Sequence, residues 1–514
     1  MSKSNRELKW GSALSYAQMV ISIIIGIAYT PVMIRLLGQN EYGLYSTISS
    51  TIAMLSVLSL GFNSSYVRFY SRYKQRGDTE GIFRLNGLFL MVFLVIGFIA
   101  FICGMFLTTH LRLVFKEGLT AQEYETARVL MILFTIDLSV SFPASVFSTI
   151  ISANERFVFL KVLGMVKTVV APLVNLPLLL LGFRSIGLVT STLVFGLMTD
   201  IVYIHYVTAR LKNRFYFSEI EAGLFRSIFT FTIFIAINTI VDQINVGIDN
   251  VLLGRYRGTA EVAVYAVGAT LHTHYKRIST AISGVFTPRI HRMYNKYSDP
   301  KVRNREITKL FIKVGRVQFL ILMLVASGMI IFGQEFIRFW VGKGYEKSYY
   351  VALLLIIPAS VPLIQNLGIE IQRAYNKHQF RSIVYLIMAI LNLIMTVFLS
   401  QLFGAVGAAF GTAVSIAVAN GLLMNIYYYK GMGLNIPLFW RNILRLMLGM
   451  LPAFAVGTVI KIFIRFSSVW SMLGFIVLYS CTYLICIWFF SINEFEKELL
   501  ISPVSKVIGK WRKV

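Results

Sequence analysis

The sequence is dominated by long apolar stretches that recur along its whole length, separated by short polar segments. About fourteen of them reach the roughly 20 residues that an α-helix needs to cross the hydrocarbon core of a bilayer. They fall at about 10–34, 43–67, 85–109, 127–152, 162–182, 186–208, 228–253, 261–288, 314–336, 351–372, 382–402, 406–429, 443–463 and 469–490. Lipid offers the backbone no hydrogen bonds, so continuous apolar segments of this length cross as helices. The pattern predicts an all-α integral membrane protein with about 14 transmembrane helices.

Basic residues are concentrated in alternate polar segments. Of the 49 lysines and arginines, about 33 fall in segments that are cytoplasmic if the N-terminus is inside, and about 11 in the opposite loops. The clearest of the inside segments are 68–84, 210–226 and 289–313. The positive-inside rule therefore predicts that both termini are cytoplasmic. The net charge of +26 is then explained by the membrane topology. The content of 57% hydrophobic residues excludes a soluble nucleic-acid-binding protein.

The segments between spans are too short to hold a separate catalytic domain. The longest outer loops are about 110–126 and 338–350, which argues against a membrane polysaccharide polymerase or ligase. All three cysteines lie inside apolar stretches, and no Cys/His spacing suits a metal, so we expect no disulfide, metal site or enzymatic cofactor. The first apolar stretch is too long for a signal-peptide core and is interpreted as a retained span.

The two halves of the chain carry related motifs. Leu36-Leu37-Gly38, Glu41 and Tyr45 recur as Leu252-Leu253-Gly254, Glu261 and Tyr265; Arg68, Tyr73 and Asp78 recur without gaps as Arg289, Tyr294 and Asp299; Asn175 and Ile186-Gly187 recur as Asn392 and Val406-Gly407. Such matches predict an internal repeat.

Each copy of the repeat contains six predicted spans, an even number, so the two copies have the same orientation in the membrane. The predicted organisation is an N-terminal six-helix lobe at 1–208, a cytoplasmic connector at 209–227, and a C-terminal six-helix lobe at 228–429. The remaining segment, 430–514, holds helices 13 and 14 and a cytoplasmic tail.

Ionisable groups inside spans are energetically costly and tend to face a cavity or a partner. Span 7 carries four polar residues along one helical face: Asn238, Asp242, Asn245 and Asp249. Span 8 carries His272, Lys276, Ser279 and Ser283 on one face, with His274 and Arg277 beside it. In other spans, Asp137, Lys167 and Glu370 are embedded, and Asp200 and His205 lie nearer a boundary. Two interpretations remain open for the seam between spans 7 and 8. Its charges pair to orient the bundle, or they form a cation site for an anionic head group or a proton relay.

Several phrases resemble the polysaccharide-transporter branch of the MOP flippase superfamily, most closely the Wzx-type O-antigen or capsule flippases. They are PVMIRLLGQNEYGLY (31–45), GFNSSYVRFY (61–70), DNVLLG (249–254) and FIRFWVGKGY (336–345). The resemblance implies transfer of polyprenyl-pyrophosphate-linked oligosaccharide, as in lipopolysaccharide synthesis, from the inner to the outer leaflet of a bacterial plasma membrane. It also implies a cationic central cavity, a lipid-tail groove at helices 13 and 14, and a polysaccharide polymerase complex as a candidate partner.

The resemblance also guides the assignment of site residues. Related lipid II flippases use arginines in their first two spans, but here these spans carry only Arg35 and Arg68 at their ends. The expected head-group residues are therefore Lys276, Arg277, His272, His274 and Lys167, and the expected polar-cavity or ion-coupling residues are Asp242, Asp249, Asn245, Asn238, Glu370 and Asp137. Asp249 matches a coupling-cation position in span 7 of some relatives, and the choice between Na⁺ and H⁺ stays open. The alternative is an ion-coupled multidrug exporter of the same superfamily.

Overall fold

The computed structural model describes residues 3–116, 119–217, 222–284, 286–464, 466, 468–494 and 496–497, and no β-strand occurs among them. The helices are α1 (Lys3–Leu37), α2 (Gln39–Met54), α3 (Phe62–Arg76), α4 (Thr79–Thr109), α5 (Ala121–Ala153), α6 (Phe157–Leu180), α7 (Arg184–His205), α8 (Ala222–Tyr256), α9 (Thr259–Gly284), α10 (Thr287–Lys296), α11 (Pro300–Trp340), α12 (Lys347–Ile364), α13 (Leu367–Ala374), α14 (Gln379–Ile416), α15 (Met424–Ile426), α16 (Ile436–Phe463) and α17 (Val469–Phe490). The all-α prediction is confirmed.

Eleven described helical segments are long and apolar enough to cross a membrane. One of them, Gln379–Gly431, covers two predicted spans and bends at Gly404, whose φ of 59° lies outside the helical region. Helices α8 and α9 are not among the eleven, although each coincides with a predicted span. For α9 the reason is its charged and histidine side chains. The exact number of fourteen spans stays a prediction.

The chain divides into two compact units. The first consists of residues 1–266 and 385–411, and the second of residues 267–384 and 412–514. The predicted lobe boundaries at 208, 228 and 429 do not coincide with this division and stay predictions.

In the first unit, α5 packs against α2, α4 and α7, and α1 packs along α6. An aromatic cluster fills the space between α3 and α4, where the Tyr66 and Phe89 rings meet edge-on at 5.1 Å between centroids. Gly43 of α2 approaches the start of α9 so closely that a Cβ there would lie 1.7 Å from the Thr259 carbonyl oxygen. Only glycine therefore fits this crossing.

In the second unit, the 41-residue helix α11 packs against α12, α16 and α17. Two tyrosines of α17 anchor it to α11: Tyr479 donates a hydrogen bond to Ser327 at 2.6 Å, and Tyr483 donates to the Leu320 carbonyl at 2.8 Å. Predicted helices 13 and 14, which are α16 and α17, are thus fastened to the six-helix repeat through α11.

Local geometry supports the gap-free part of the predicted repeat and corrects another part. Asp78 caps the N-terminus of α4 and Asp299 caps that of α11, as expected for equivalent residues. Gly38 and Gly258, with φ of 81° and 84°, each directly precede the next helix. Gly254, the sequence match to Gly38, lies instead inside α8. The structural equivalent of Gly38 is therefore Gly258, which precedes Glu261 by three residues just as Gly38 precedes Glu41.

Candidate transport site

The face of α9 that packs within the second unit is held by polar contacts. The Tyr275 hydroxyl lies 2.8 Å from the Ser360 Oγ, and the Ser279 Oγ donates to the Leu363 carbonyl oxygen at 2.7 Å. Both Tyr275 and Ser279 are buried. These contacts fix which residues of α9 point away from the packed face.

The opposite face of α9 is polar and exposed. Its exposed residues after position 270 are Thr273, Lys276, Arg277, Thr280 and Gly284. Helix α9 is described in full, and none of its large apolar side chains is exposed. By contrast, Leu173 of α6 is 66% exposed and Phe398 of α14 is 65% exposed, as suits helices in contact with lipid tails. Since exposed charges are costly in hydrocarbon, this face of α9 meets water.

Two histidines extend the basic character of this segment. His272 lies one turn before Lys276, and the two side chains interact electrostatically. His274 interacts in the same way with Arg277, and its buried Nδ1 has no hydrogen-bond partner among the described groups. All four predicted head-group residues of α9 therefore lie within two turns of one helix.

A buried carboxylate occupies the first unit. Asp249 of α8 is 2% exposed, accepts a hydrogen bond from the Tyr265 hydroxyl, and accepts another from Thr396 Oγ1 at 3.1 Å. Thr396 Oγ1 also lies 3.4 Å from Asn392 Oδ1. Carboxylate, hydroxyl and amide oxygens are the ligand types of hard cations. A cluster of three or more His, Cys, Asp or Glu side chains suited to a transition metal is absent from the described residues.

The remaining predicted residues fall in separate places. Lys167 lies within electrostatic reach of Asp137 and Asp200 in the first unit. Glu370 forms an ion pair with Arg373, one turn along α13, at 2.7 Å. The side chains of Asn238, Asp242 and Asn245 lie outside the described part of the structure, so their predicted roles and the pairing of Asp242 with His272 stay predictions.

Sequence reasoning missed two partners of Asp249. Tyr265 was singled out only as a repeat residue, and Thr396 was not singled out at all. Thr396 lies one turn after Asn392, which the repeat did mark, so helical spacing from that asparagine was the available clue.

Comparison with known families decides the affiliation. Residues 9–294, more than half of the chain, match the family described as "Polysaccharide biosynthesis protein". The chain belongs to this family. The match confirms the sequence-based affiliation with a polysaccharide family, and the eleven apolar helical segments fit a multi-pass membrane protein.

Relatives of this family member extend over nearly all of its length. The uncharacterized membrane protein EpsK of Bacillus subtilis is 20% identical over 501 residues, which cover 95% of this chain and 96% of EpsK. Among solved structures, the lipid II flippase MurJ in an inward closed conformation has a TM-score of 0.68 at 14% identity, covering 95% of this chain and 99% of MurJ. An inward-facing multidrug resistance transporter of the MATE family has a TM-score of 0.60 at 13% identity, covering 86% and 99%. At these identities the two solved structures establish the fold.

Proposed function

We propose that this membrane protein is a flippase of the MOP superfamily that moves a polyprenyl-pyrophosphate-linked oligosaccharide, such as an O-antigen or capsule unit, from the cytoplasmic to the outer leaflet of a bacterial plasma membrane. The observation that carries the proposal is the exposed polar face of α9, which carries Lys276 and Arg277. A membrane helix that presents two cations to water suits an anionic passenger, and a pyrophosphate is the anionic part of such a lipid.

In this proposal Lys276 and Arg277 bind the pyrophosphate through charge-assisted hydrogen bonds. Arg277 contributes a planar fork that matches two phosphate oxygens, while Lys276 contributes a compact charge on a flexible stem. His272 and His274 line the approach on the same helix. The lobes then alternate access to the two sides, with both termini cytoplasmic as the distribution of basic residues favours.

Asp249 supplies the coupling step in the same proposal. A buried carboxylate with a threonine hydroxyl and an asparagine amide nearby suits Na⁺ or H⁺, either of which neutralises its charge inside the membrane. Binding at this position would bias the equilibrium between the two access states.

A multidrug exporter is the second candidate, because a MATE transporter shares the fold. The charge of α9 argues against it, since exposed lysine and arginine repel cationic drugs. The greater coverage by MurJ than by the MATE transporter, 95% against 86% of the chain, also favours a flippase.

The proposal is tested in a strain that lacks the gene. We expect the polyprenyl-linked glycan to accumulate in the inner leaflet, measured by its inaccessibility to a glycan-binding lectin added from outside. Complementation with the native chain should restore access, and complementation with the Lys276→Ala/Arg277→Ala double variant should not. The matched control is Arg289→Ala/Arg292→Ala, which removes two exposed basic residues from α10 and should complement normally. Absence of glycan accumulation in the deletion strain would overturn the function. Full complementation by the α9 double variant would overturn the site.

A further inference from the structure

Three ionisable side chains lie on three helices of the first unit that pack against one another. Asp137 lies at the centre of α5, Lys167 in α6 and Asp200 in α7. Lys167 interacts electrostatically with both carboxylates, and the two carboxylates interact with each other. Asp137 reaches α7 because residue 196 there is glycine: a Cβ at Gly196 would stand 3.1 Å from Asp137 Oδ1. We refer to Asp137, Lys167 and Asp200 as the triad.

The triad is not locked by a contact ion pair. Among the described side chains, no nitrogen–oxygen distance of 4.0 Å or less joins Lys167 to either carboxylate. The Lys167 side chain is exposed, and both carboxylates are half-buried. The Lys167 ammonium therefore attracts both carboxylates without forming a contact ion pair with either of them.

The repeat provides an internal control for the role of these charges. Asn175 matches Asn392, which aligns Lys167 with Val384, and Ile186 matches Val406, which aligns Asp200 with Asn420. The stretch of α12 that corresponds to the surroundings of Asp137, 356–359, reads Ile-Ile-Pro-Ala. The second copy thus builds the same helices without any of the three charges. The triad is therefore not needed for the fold of a repeat, and it indicates a function that only the first copy has.

We propose that the triad is a proton-binding site that takes up a single proton shared between Asp137 and Asp200. With all three groups ionised the triad carries one net negative charge inside the membrane region, which is energetically costly there. Binding of one proton from the adjacent water converts one carboxylate to a carboxylic acid and leaves the other paired with the Lys167 ammonium. The protonated triad is neutral.

The other titratable groups on the packed helices do not supply this neutralisation. They include Tyr16 and Tyr29 on α1, Tyr45 on α2, Tyr66 and Tyr70 on α3, Cys103 on α4 and Tyr203 on α7. The nearest charged or basic side chains along the same helices are Lys161, six residues before Lys167, and His205, five residues after Asp200. Tyr203 interacts with Asp200, but a tyrosine that is neutral near pH 7 adds no charge. Inside the helices, between Lys161 and His205 at their ends, the charge is therefore set by the triad.

This site deepens the proposed function, because it adds a proton-binding site distinct from Asp249. It can be tested without measuring transport of a glycan. The purified chain is reconstituted in liposomes with the Asp249→Asn substitution, so that Asp249 contributes no signal. Infrared spectra recorded from acid to alkaline pH then report the C=O stretch of protonated carboxylic acids, which is separate from the carboxylate bands.

A shared proton predicts a distinctive result. Beyond the carboxyl groups that titrate alike in every variant, the parent shows one additional carboxylic-acid band. Both Asp137→Asn and Asp200→Asn abolish this band, because the remaining aspartate forms a neutral pair with the Lys167 ammonium and takes up no proton. Lys167→Met shifts the loss of the band to higher pH, since two carboxylates then lack a cation. Lys167→Arg and the cap variant Asp78→Asn leave the band unchanged and serve as folded controls. A band that survives in both aspartate variants, or that falls by an independent share in each, would overturn the proposal. Loss of the band with normal glycan transport would leave the proton site standing and limit its role in coupling.

Discussion

Glu41 Oε1 accepts a hydrogen bond from the backbone amide of Ser185 at 2.9 Å, across 144 residues of chain. The second copy of the repeat contains the same bond, from the Ala405 amide to Glu261 Oε2 at 2.8 Å, again across 144 residues. In both places a carboxylate near the start of the second span of a copy binds the backbone at the start of its sixth span. The two copies are therefore equivalent in their hydrogen bonding and not only in sequence.

These two glutamates predict a matched loss of stability. Glu41→Ala removes acceptors from the Ser185 amide and hydroxyl, and Glu261→Ala removes one from the Ala405 amide. Hydrogen bonds to charged groups contribute about 1.5–3 kcal/mol each, so both variants should lower the thermal midpoint in detergent. The exposed Glu125 provides the control, and Glu125→Ala should match the native chain. An unchanged midpoint in both variants would show that the equivalent bonds carry no stability.

The repeat illustrates what the sequence could and could not predict. Asp78 and Asp299 were matched by identity alone, and both prove to be helix caps, because capping depends on neighbours two or three residues away. The match of Gly38 to Gly254 failed, because the leucines before each glycine align while the positive φ that requires glycine occurs four residues later, at Gly258. Matching apolar residues therefore predict where a helix lies, but the residue at which the helix ends depends on the backbone conformation.

A buried ion pair in the second unit was not predicted. Arg316 of α11 donates to Glu496 at 2.6 and 2.8 Å, and also to the Ser491 carbonyl oxygen at 3.0 Å. Both side chains are buried, and Glu496 follows α17 by only a few residues. A glutamate in a polar tail 180 residues away gives no sequence indication of such a partner. Long-range pairing of this kind depends on how α11, α16 and α17 pack.

We predict that Arg316→Met destabilises the chain by about 3–5 kcal/mol, because Glu496 is left as an uncompensated buried charge. The double variant Arg316→Met/Glu496→Met should be less destabilised than Arg316→Met alone. Arg316→Lys should fall between the native chain and Arg316→Met, since lysine lacks the planar fork. Free energies of unfolding in bicelles measure all three. A double variant that is the least stable of the set would contradict a charge-based explanation.

The two cations of α9 predict unequal effects on transport. Loss of one charge-assisted contact weakens binding by about 1.5–3 kcal/mol, which corresponds to about 10- to 100-fold in affinity. Lys276→Arg should retain most of the glycan export rate, because a point charge is replaced by another cation. Arg277→Lys should lose more, because the bidentate geometry is lost. Export rates in the complemented deletion strain decide between this order and its reverse.

Placement of the α9 residues was predictable only in part. Helical spacing put Lys276, Ser279 and Ser283 on one face, but the structure divides that face, because Ser279 and Ser283 are buried and Lys276 is exposed beside them. The sequence could not show that Thr273 and Thr280 share the exposed side with Arg277, because that depends on α9 packing through Tyr275 against Ser360.

Asp249 gives the last prediction, which uses the repeat as its guide. An offset of 220 residues, the one that joins Glu41 to Glu261, aligns Asp249 with Tyr29 and Tyr265 with Tyr45. The first copy thus holds a tyrosine where the second holds a buried carboxylate, so only the second copy has a charge for a cation to neutralise at this position. We expect the bound cation to stabilise the native chain in proportion to its occupancy.

Raising the Na⁺ concentration at constant ionic strength, with choline as the replacement, should therefore raise the thermal midpoint of the native chain. Asp249→Asn should abolish that rise, and Thr396→Val, which keeps the shape of the side chain but removes the hydroxyl, should reduce it. Tyr29→Phe is the matched variant in the first copy and should respond to Na⁺ like the native chain. If Na⁺ has no effect on the native chain while lowering the pH stabilises it and not Asp249→Asn, the coupling ion at this position is the proton. Equal responses of Asp249→Asn and the native chain to both ions would remove Asp249 from the coupling step altogether.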